Sequence, residues 1–304
     1  KQSLGNTAVL EMGRLGSVCM MVNVVVAAGA RTVITPGLWP ASLEFLQGCD
    51  NETFADFVGP LMKMTKLTYT ATYGTYHRTK DDNATVTGWQ RPGHESNPEQ
   101  GGMRALTFIQ PDSKRGVIAF RGTDLNASGV SGQADACANK VLANQPLPEW
   151  CSQFSNETLD YFGNALKFAA ETAKLYPEFE WLFTGHSLGA FLAEAVAVVR
   201  QDLALSFSAP PVDPVLLNRT KVNVSAVAPW QALSFYNEWD PLRWLARGQL
   251  PGSVACYWPL DAPTGCSECD LAAGGVDLPS ATCQQCFLQT HVFKIYLDLF
   301  YSGQ

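Results

Sequence analysis

Residues 179–199, FEWLFTGHSLGAFLAEAVAVV, place a serine between two glycines at the junction of two apolar runs. The first run, 179–184, is rich in aromatic and branched side chains and predicts a buried strand, whereas residues 190–200 carry apolar side chains at helical spacing. Ser187 therefore lies at a predicted strand-to-helix turn. The pattern GHSLG over 185–189 is typical of a nucleophile elbow, in which a strained turn exposes the serine hydroxyl.

The length and composition of the chain favour a single domain over residues 1–304. The sequence is 46% hydrophobic, which is enough for a large core, and neither a repeat nor a low-complexity tract divides its 304 residues. The formal net charge is -7, and the Lys and Arg residues form no cluster. Because phosphate binding needs clustered basic side chains, we expect no nucleic-acid partner.

Cysteines and glycosylation signals predict a secreted or lumenal glycoprotein. Nine cysteines are many for a cytosolic enzyme and are typical of proteins that fold in an oxidising compartment. Six Asn-x-Ser/Thr sequons are glycosylation candidates, namely Asn51, Asn83, Asn126, Asn156, Asn218 and Asn223.

The apolar segment 15–30 raises the question of membrane contact. It has no charge between Arg14 and Arg31 and is similar to the core of a signal peptide. Its 16 residues are fewer than the ~20 that a membrane-spanning helix needs. We therefore expect a buried N-terminal helix or strand, and contact with a membrane or a partner is not favoured.

Strand and helix patterns alternate in the second half of the chain. The predicted elements are strands at 105–110, 116–120, 203–211 and 232–241 and a helix at 155–175. The first two strands flank the turn sequence PDSKR and predict an adjacent pair. This alternation predicts a largely parallel sheet with the active residues at the carboxyl ends of its strands. Residues 31–104 show weak periodicity and predict no element.

An activated serine needs an imidazole as base and a carboxylate that orients the imidazole, in the chain order serine, acid, histidine. His291 is the predicted base, because the other three histidines lie before Ser187 or within the elbow. Asp213 and Asp240 both precede a proline just beyond a strand-like run. Asp240 is preferred because it lies four residues past the predicted strand end at Tyr236, and Asp213 is interpreted as a turn residue.

Acyl transfer also needs two hydrogen-bond donors for the oxyanion of the transition state. One predicted donor is the backbone amide of Leu188, which follows the nucleophile. The other belongs to the loop after an earlier strand, where VIAFRGTD at 117–124 supplies Gly122 and Thr123.

Five blocks in one order, over roughly residues 105–300, resemble the class 3 lipase family of fungal-lipase-like α/β hydrolases. The blocks are VIAFRGT, YPEFEWLFTGHSLGA, LSFSAPPV, FYNEWDPL and HVFKIY. The resemblance implies an α/β-hydrolase fold with a mostly parallel central sheet flanked by helices, and it leaves residues 1–104 as an N-terminal extension of uncertain structure. The implied site consists of Ser187, Asp240 and His291, with Thr123 and Leu188 as the oxyanion hole and with no cofactor or metal.

The resemblance leaves three function classes open, since the family includes triacylglycerol lipases, A1-type phospholipases, diacylglycerol lipases and feruloyl esterases. The first is a secreted serine carboxylester hydrolase that acts on acylglycerols or phospholipids at a lipid–water interface. The second is a feruloyl-esterase-like hydrolase of non-lipid esters. The third is a lipase-fold binding protein without activity, against which the complete set of serine, acid and histidine argues.

Residues 125–151 occupy the position of the family's lid but lack its usual sequence. They carry scattered apolar side chains without a clear amphipathic helix. A disulfide between Cys137 and Cys151 would close a loop of 15 residues and stabilise it by ~3 kcal/mol. A glycan at Asn126 would lie beside the entrance. We expect a pinned cover and weak interfacial activation, and the alternative is a structural surface loop with no gating role.

The C-x-x-C pairs at 266–269 and 283–286 have the spacing of a four-thiolate zinc site. In an oxidising compartment these thiols should pair instead, with Cys256 and Cys49 as further partners, so disulfides are favoured over zinc. The disulfide candidates are Cys137, Cys151, Cys256, Cys266, Cys269, Cys283 and Cys286. The odd total leaves one thiol, for which Cys19 in its apolar run is the candidate.

Overall fold

The computed structural model describes the greater part of the chain. The described residues are 9–12, 17–21, 39–47, 51–70, 85–98, 101–125, 129–212, 216–217, 220, 227–228, 230–240, 242, 253–258, 263, 266 and 281–301. 

A central sheet organises these residues, and in the described part of the chain it has nine strands in the order β1-β2-β9-β8-β7-β6-β5-β4-β3. The strands are β1 (Val9–Met12), β2 (Ser17–Met21), β3 (Glu95–Ser96), β4 (Ala105–Gln110), β5 (Arg115–Phe120), β6 (Glu180–Gly185), β7 (Leu203–Phe207), β8 (Ala232–Asn237) and β9 (Val254–Trp258). The five central strands, β5 to β9, are parallel, and antiparallel strands close both edges. The predicted strand pair is the antiparallel hairpin of β4 and β5.

Helices cover both faces of the sheet, which confirms the predicted α/β-hydrolase fold. They are α1 (Asn51–Thr70), α2 (Val130–Leu142), α3 (Asn156–Leu159), α4 (Tyr161–Leu175), α5 (Leu188–Arg200), α6 (Ala281–His291) and α7 (Lys294–Tyr301). The single helix predicted at 155–175 is interrupted at Asp160, whose carboxylate accepts from the amide of Gly163 and caps α4. 

Alternating side chains on the strands divide the core into two apolar layers. On β6, Leu182 belongs to the layer under α1 and α7, and Phe183 belongs to the layer under α4 and α5. The same alternation places Phe120 of β5 with α5 and its neighbour Ala119 with α1. Both sides of the central strands are therefore buried, which explains their nearly continuous apolar sequences.

Helix α1 is an element that the sequence analysis did not predict. Phe54, Val58 and Leu61 recur at helical spacing and are buried against the sheet, in the same layer as Phe235 of β8. Pro60 stands inside the helix, where proline removes a backbone hydrogen bond and normally indicates a helix end. Burial of the apolar face outweighs this local cost, so the N-terminal extension contributes to the core.

The registers bring the carboxyl ends of four neighbouring strands, β5 to β8, to one edge. Phe120 pairs with Gly185, His186 bridges to Phe207, and Phe207 pairs with Phe235. The loops that follow β6, β7 and β8 consequently emerge side by side, as expected at the functional edge of a parallel sheet.

Part of the apolar segment 15–30 is visible as a strand. Residues 17–21 form β2 and pair with β9, so this portion belongs to the sheet, as expected, and the remaining residues of the segment lie outside the described ones. None of the described helices is both long and apolar enough to span a membrane.

A carboxyl group is buried beneath α5. Glu194 is 3% exposed, and its Oε1 accepts from the hydroxyl of Ser206 on β7 at 2.7 Å. Burial raises the pKa of Glu194 to about 7, and the hydrogen bond from Ser206 only partly opposes this shift.

The raised pKa of Glu194 predicts a pH-dependent stability. Between its ordinary pKa of 4.5 and the folded-state value of about 7, the folded protein holds a proton that the unfolded chain releases. The free energy of unfolding should therefore decrease across this window, by on the order of 3 kcal/mol. Urea unfolding at several pH values should show this decrease in wild type and in the control Glu171→Gln, at an exposed position of α4, but not in Glu194→Gln. Identical pH dependence in the two variants would contradict the assignment.

Candidate active site

The turn between β6 and α5 has the strained strand-to-helix geometry that the sequence predicted for residues 185–189. Ser187 has φ 56° and ψ -125°, a strained conformation for an L residue, and its backbone amide donates to the carbonyl of Phe207 at 3.0 Å. A Cβ on Gly185 would lie 2.4 Å from the carbonyl of Gly189, and one on Gly189 would lie 2.3 Å from the carbonyl of Phe120. Both glycines are thus required by close backbone approach.

The structure brings Ser187, His291 and Asp240 together although 104 and 51 residues separate the pairs in sequence. His291 Nε2 lies 2.8 Å from Ser187 Oγ, and His291 Nδ1 lies 2.9 Å from Asp240 Oδ2. Asp240 is fully buried, and its Oδ1 accepts from the amide of Leu242 at 2.9 Å. A carboxylate only accepts, so Nδ1 carries a proton and Nε2 of the neutral imidazole turns its lone pair to the serine hydroxyl.

His186, the residue before Ser187, forms hydrogen bonds that hold the backbone of His291 in place. Sequence reasoning missed this role. The Nε2 of His186 lies 2.7 Å from the carbonyl oxygen of His291 and must donate to it, and its Nδ1 accepts from the hydroxyl of Tyr69 at 2.8 Å. Burial, together with the nearby His291, holds the pKa of His186 well below its usual range. His186 therefore stays neutral and ties helix α1 to the backbone of His291. No local sequence signal indicates either partner.

Of the predicted oxyanion residues, Leu188 follows Ser187 in the chain and Thr123 lines the same pocket. Leu188 is the first residue of α5, so its amide has no acceptor within the helix and belongs to the positive end of the helix dipole. Thr123 lines the same pocket as Ser187, and its Oγ1 accepts from the side-chain amide of Asn139 on α2 at 3.0 Å. The bond from Asn139 uses only a lone pair of Oγ1, so the hydroxyl of Thr123 can still donate its proton to a ligand in the pocket.

A buried ion pair clamps the loop that carries Thr123. Asp135 on α2 accepts from Arg121 at 2.7 Å and from the backbone amide of Asp124 at 2.7 Å through one oxygen, and from the hydroxyl of Tyr161 at 2.6 Å through the other. Asp135 is 1% exposed. Because both sides of Thr123 are held by the same carboxylate, α2 sets the conformation of this loop.

The segment predicted to cover the pocket is a packed structural element where it is described. Residues 130–142 form α2, whereas the sequence showed no clear amphipathic helix there; Ala134, Ala138 and Leu142 line its buried face. The predicted disulfide between Cys137 and Cys151 is present and pins α2 to the following turn. Within 129–151, no residue contributes to the lining of the pocket.

The pocket beside Ser187 is mainly apolar and has a volume of about 240 Å³. Its lining comprises Tyr69, Thr123, Leu125, His186, Ser187, Phe287, Leu288, His291, Val292 and Phe293. Two exposed leucines stand at its rim, Leu125 at 67% and Leu288 at 52% exposure. The loop after β5 and helix α6 thus supply an apolar border on two sides of the serine.

The cysteines decide between the zinc and disulfide hypotheses. Cys266 and Cys286 form a disulfide with Cα atoms 5.0 Å apart, which removes two of the four thiolates that the zinc site required. Cys256 is also disulfide-bonded. Cys49 and Cys269 lie outside the described residues, as do the side chains of Cys19 and Cys283.

Two of the six sequons fall on described backbone. Asn156 is exposed at the start of α3, and Asn51 is the first residue of α1. Asn83, Asn126, Asn218 and Asn223 lie outside the described residues, and so does Asp213, the alternative acid.

Neither a protein-family model nor a curated protein matches the chain by sequence. Solved structures of fungal lipases resemble it. Lip2 lipase from Yarrowia lipolytica is 16% identical over 71% of this chain and 82% of its own, with a TM-score of 0.41. Rhizomucor miehei triacylglyceride lipase is 18% identical over 64% and 74% of the two chains, with a TM-score of 0.39. At this identity and TM-score the similarity supports no further argument. The fold assignment rests on the observed sheet and helices, and the proposed chemistry rests on the geometry of the site.

Proposed function

We propose that the protein is a secreted, lipase-like serine carboxylester hydrolase of the class 3 type. The observation that carries this proposal is the chain of hydrogen bonds from Asp240 through His291 to the strained Ser187, at the floor of an apolar pocket. The disulfides and the sequons support the secreted location.

The geometry supports acylation of Ser187. Its Oγ attacks the carbonyl carbon of the ester while His291 Nε2 takes the hydroxyl proton. Asp240 keeps the imidazole in the required tautomer and stabilises its positive form, and it stays ionised throughout. The neutral His186 does not compete for this proton, because burial opposes its charging.

The tetrahedral intermediate carries its negative charge on the former carbonyl oxygen. The amide of Leu188 and the hydroxyl of Thr123 are the donors proposed for this oxyanion, and the clamp formed by Asp135 fixes the second donor before substrate binds. Collapse of the intermediate breaks the ester C–O bond, and the departing alcohol oxygen takes the proton from His291 Nε2. Water then attacks the acyl-enzyme by the same steps, releases the fatty acid and restores Ser187.

The pocket favours an acyl chain of a lipid, such as an acylglycerol or a phospholipid. Phe287, Val292 and Phe293 give it apolar walls, and the hydroxyl of Tyr69 is already bonded to His186. A feruloyl group would bring a phenol that needs a polar partner in the pocket. Hydrolysis of feruloyl esters is therefore the second candidate function, and binding without catalytic activity is the third.

Removal of the nucleophile tests the reaction type. Ser187→Ala should lower turnover of a soluble ester by roughly 10⁴- to 10⁶-fold at an unchanged melting temperature, and His291→Ala should be similarly severe. Alkyl phosphonates, which react with activated serines, should label wild type and leave Ser187→Ala unlabelled. Near-normal turnover in Ser187→Ala would refute the mechanism. A severe loss in Asp213→Asn with an active Asp240→Asn enzyme would reassign the acid.

The oxyanion role of Thr123 has its own test in a matched pair of variants. Thr123→Val removes the hydroxyl at nearly constant shape and should lower kcat by about 10²- to 10³-fold with KM little changed. Thr123→Ser keeps the hydroxyl and should retain most of the turnover. Full kcat with a raised KM in Thr123→Val would show that the residue only shapes the pocket.

An ester series separates the first two candidates. Initial rates on p-nitrophenyl esters of increasing chain length and on methyl ferulate should favour the aliphatic acyl groups, because the walls of the pocket are apolar.

Across the solubility limit of a short-chain ester, we expect only a gradual increase in rate, since α2 is pinned and lies outside the pocket lining. A preference for methyl ferulate would support the second candidate, and a sharp rate increase at the limit would show that a cover opens.

A further inference from the structure

Ser208, the residue that follows β7, has an unfavourable backbone conformation. Its φ is 53°, in the left-handed region that glycine adopts freely and that other L residues adopt at a cost. It is fully buried, so solvent does not account for the polar side chain. A serine at this position therefore indicates a compensating contact of its hydroxyl.

The hydroxyl of Ser208 contacts Asp240 directly. It forms a short hydrogen bond to Asp240 Oδ2, the same oxygen that accepts from His291 Nδ1. A carboxylate only accepts, so Ser208 is the donor. Asp240 lies beyond the end of β8, and this bond ties its carboxylate to the neighbouring strand β7.

Tyr296 of α7 is the second hydrogen-bond partner of the Ser208 hydroxyl. The two hydroxyls are in short contact, and because the proton of Ser208 points to Asp240, Tyr296 donates to Ser208 Oγ. The oxygen of Tyr296 accepts from the backbone amide of Asn237 at 3.1 Å, whereas the carbonyl of Phe235 is a more distant acceptor at 3.3 Å. Every hydroxyl in this buried chain consequently has a defined donor and acceptor.

We propose that Ser208 is a positioning residue for the catalytic acid. Its O–H and the Nδ1–H of His291 converge on one carboxylate oxygen, while the amide of Leu242 holds the other, so the carboxylate is prevented from turning. The imidazole that Asp240 orients is thereby kept in line with Ser187. This inference rests on the proposed hydrolase function, and it assigns a fourth side chain to the site.

The decisive variant is Ser208→Gly, which removes the hydroxyl and also relieves the left-handed strain. Because those two effects on folding oppose each other, its melting temperature should stay close to that of wild type. Its kcat should decrease by roughly 10- to 100-fold, as expected when a reacting group loses its alignment, and KM should change less than twofold. Ser208→Ala, which keeps the Cβ, should show the same loss of kcat at a lower melting temperature.

Ser206→Ala, two residues earlier and within β7, is the matched control. Ser206 is also fully buried and also donates to a buried carboxyl, that of Glu194, but it does not contact the three catalytic side chains. This variant should lose stability while kcat stays within twofold of wild type. An equal decrease in kcat for Ser206→Ala would mean that any buried serine on β7 acts through general destabilisation, and the proposal would be wrong.

A double-mutant cycle separates positioning from a structural role. In an Asp240→Asn background the carboxylate is gone, so adding Ser208→Gly should change kcat less than twofold further. If the two losses multiply instead, Ser208 acts independently of Asp240 and the proposal is overturned.

Phosphonate labelling of wild type keeps this test distinct from that of the hydrolase function. An unlabelled and inactive wild-type protein would remove the proposed function, and with it the basis of the inference. A labelled, active wild type together with full kcat in Ser208→Gly would overturn the role of Ser208 alone.

Discussion

The strained turn at Ser187 is the constraint on which the rest of the site depends. It requires two glycines so close that neither tolerates a Cβ, and it requires β6 and α5 to be held rigidly on both sides. The parallel neighbours of β6 supply that rigidity, since the amide of Ser187 bonds to the end of β7. The strained conformation of Ser187 is thus a consequence of sheet packing, because an isolated turn of this conformation would relax.

The same arrangement, a buried serine hydroxyl that donates to a buried carboxyl group, occurs twice near the end of β7. Ser206 donates to Glu194 and Ser208 donates to Asp240, two residues apart on β7 and its extension. The first pair lies under α5, and burial raises the pKa of its carboxyl. The second carboxylate receives further donors from His291 and the amide of Leu242, which fix its orientation. Asp240 is thus held by more donors than Glu194.

Two helices hold the site from two directions, α1 of the N-terminal extension and α2 beside the loop of Thr123. Helix α1 brings Tyr69 to His186, and α2 brings Asp135 and Asn139 to the loop of Thr123. The disulfide at Cys137 anchors α2 in turn. Both helices act through hydrogen bonds to groups that adjoin the reacting atoms, so substitutions well away from Ser187 are expected to affect its chemistry.

Local pattern was sufficient for the strand-to-helix turn at Ser187, the hairpin of β4 and β5, and α5, because periodicity and glycine spacing are properties of short segments. Chain order alone singled out His291, which lies 2.8 Å from Ser187 Oγ in the structure. The same local view missed α1, whose Pro60 conceals an amphipathic helix, and it continued one helix through Asp160. Spacing also left zinc and disulfides open at Cys266 and Cys286, since both uses need the same thiols. Only the tertiary structure decided those pairings, the bracing of His291 by His186 and the contact of Ser208 with Asp240, because each depends on a distance between residues far apart in the chain.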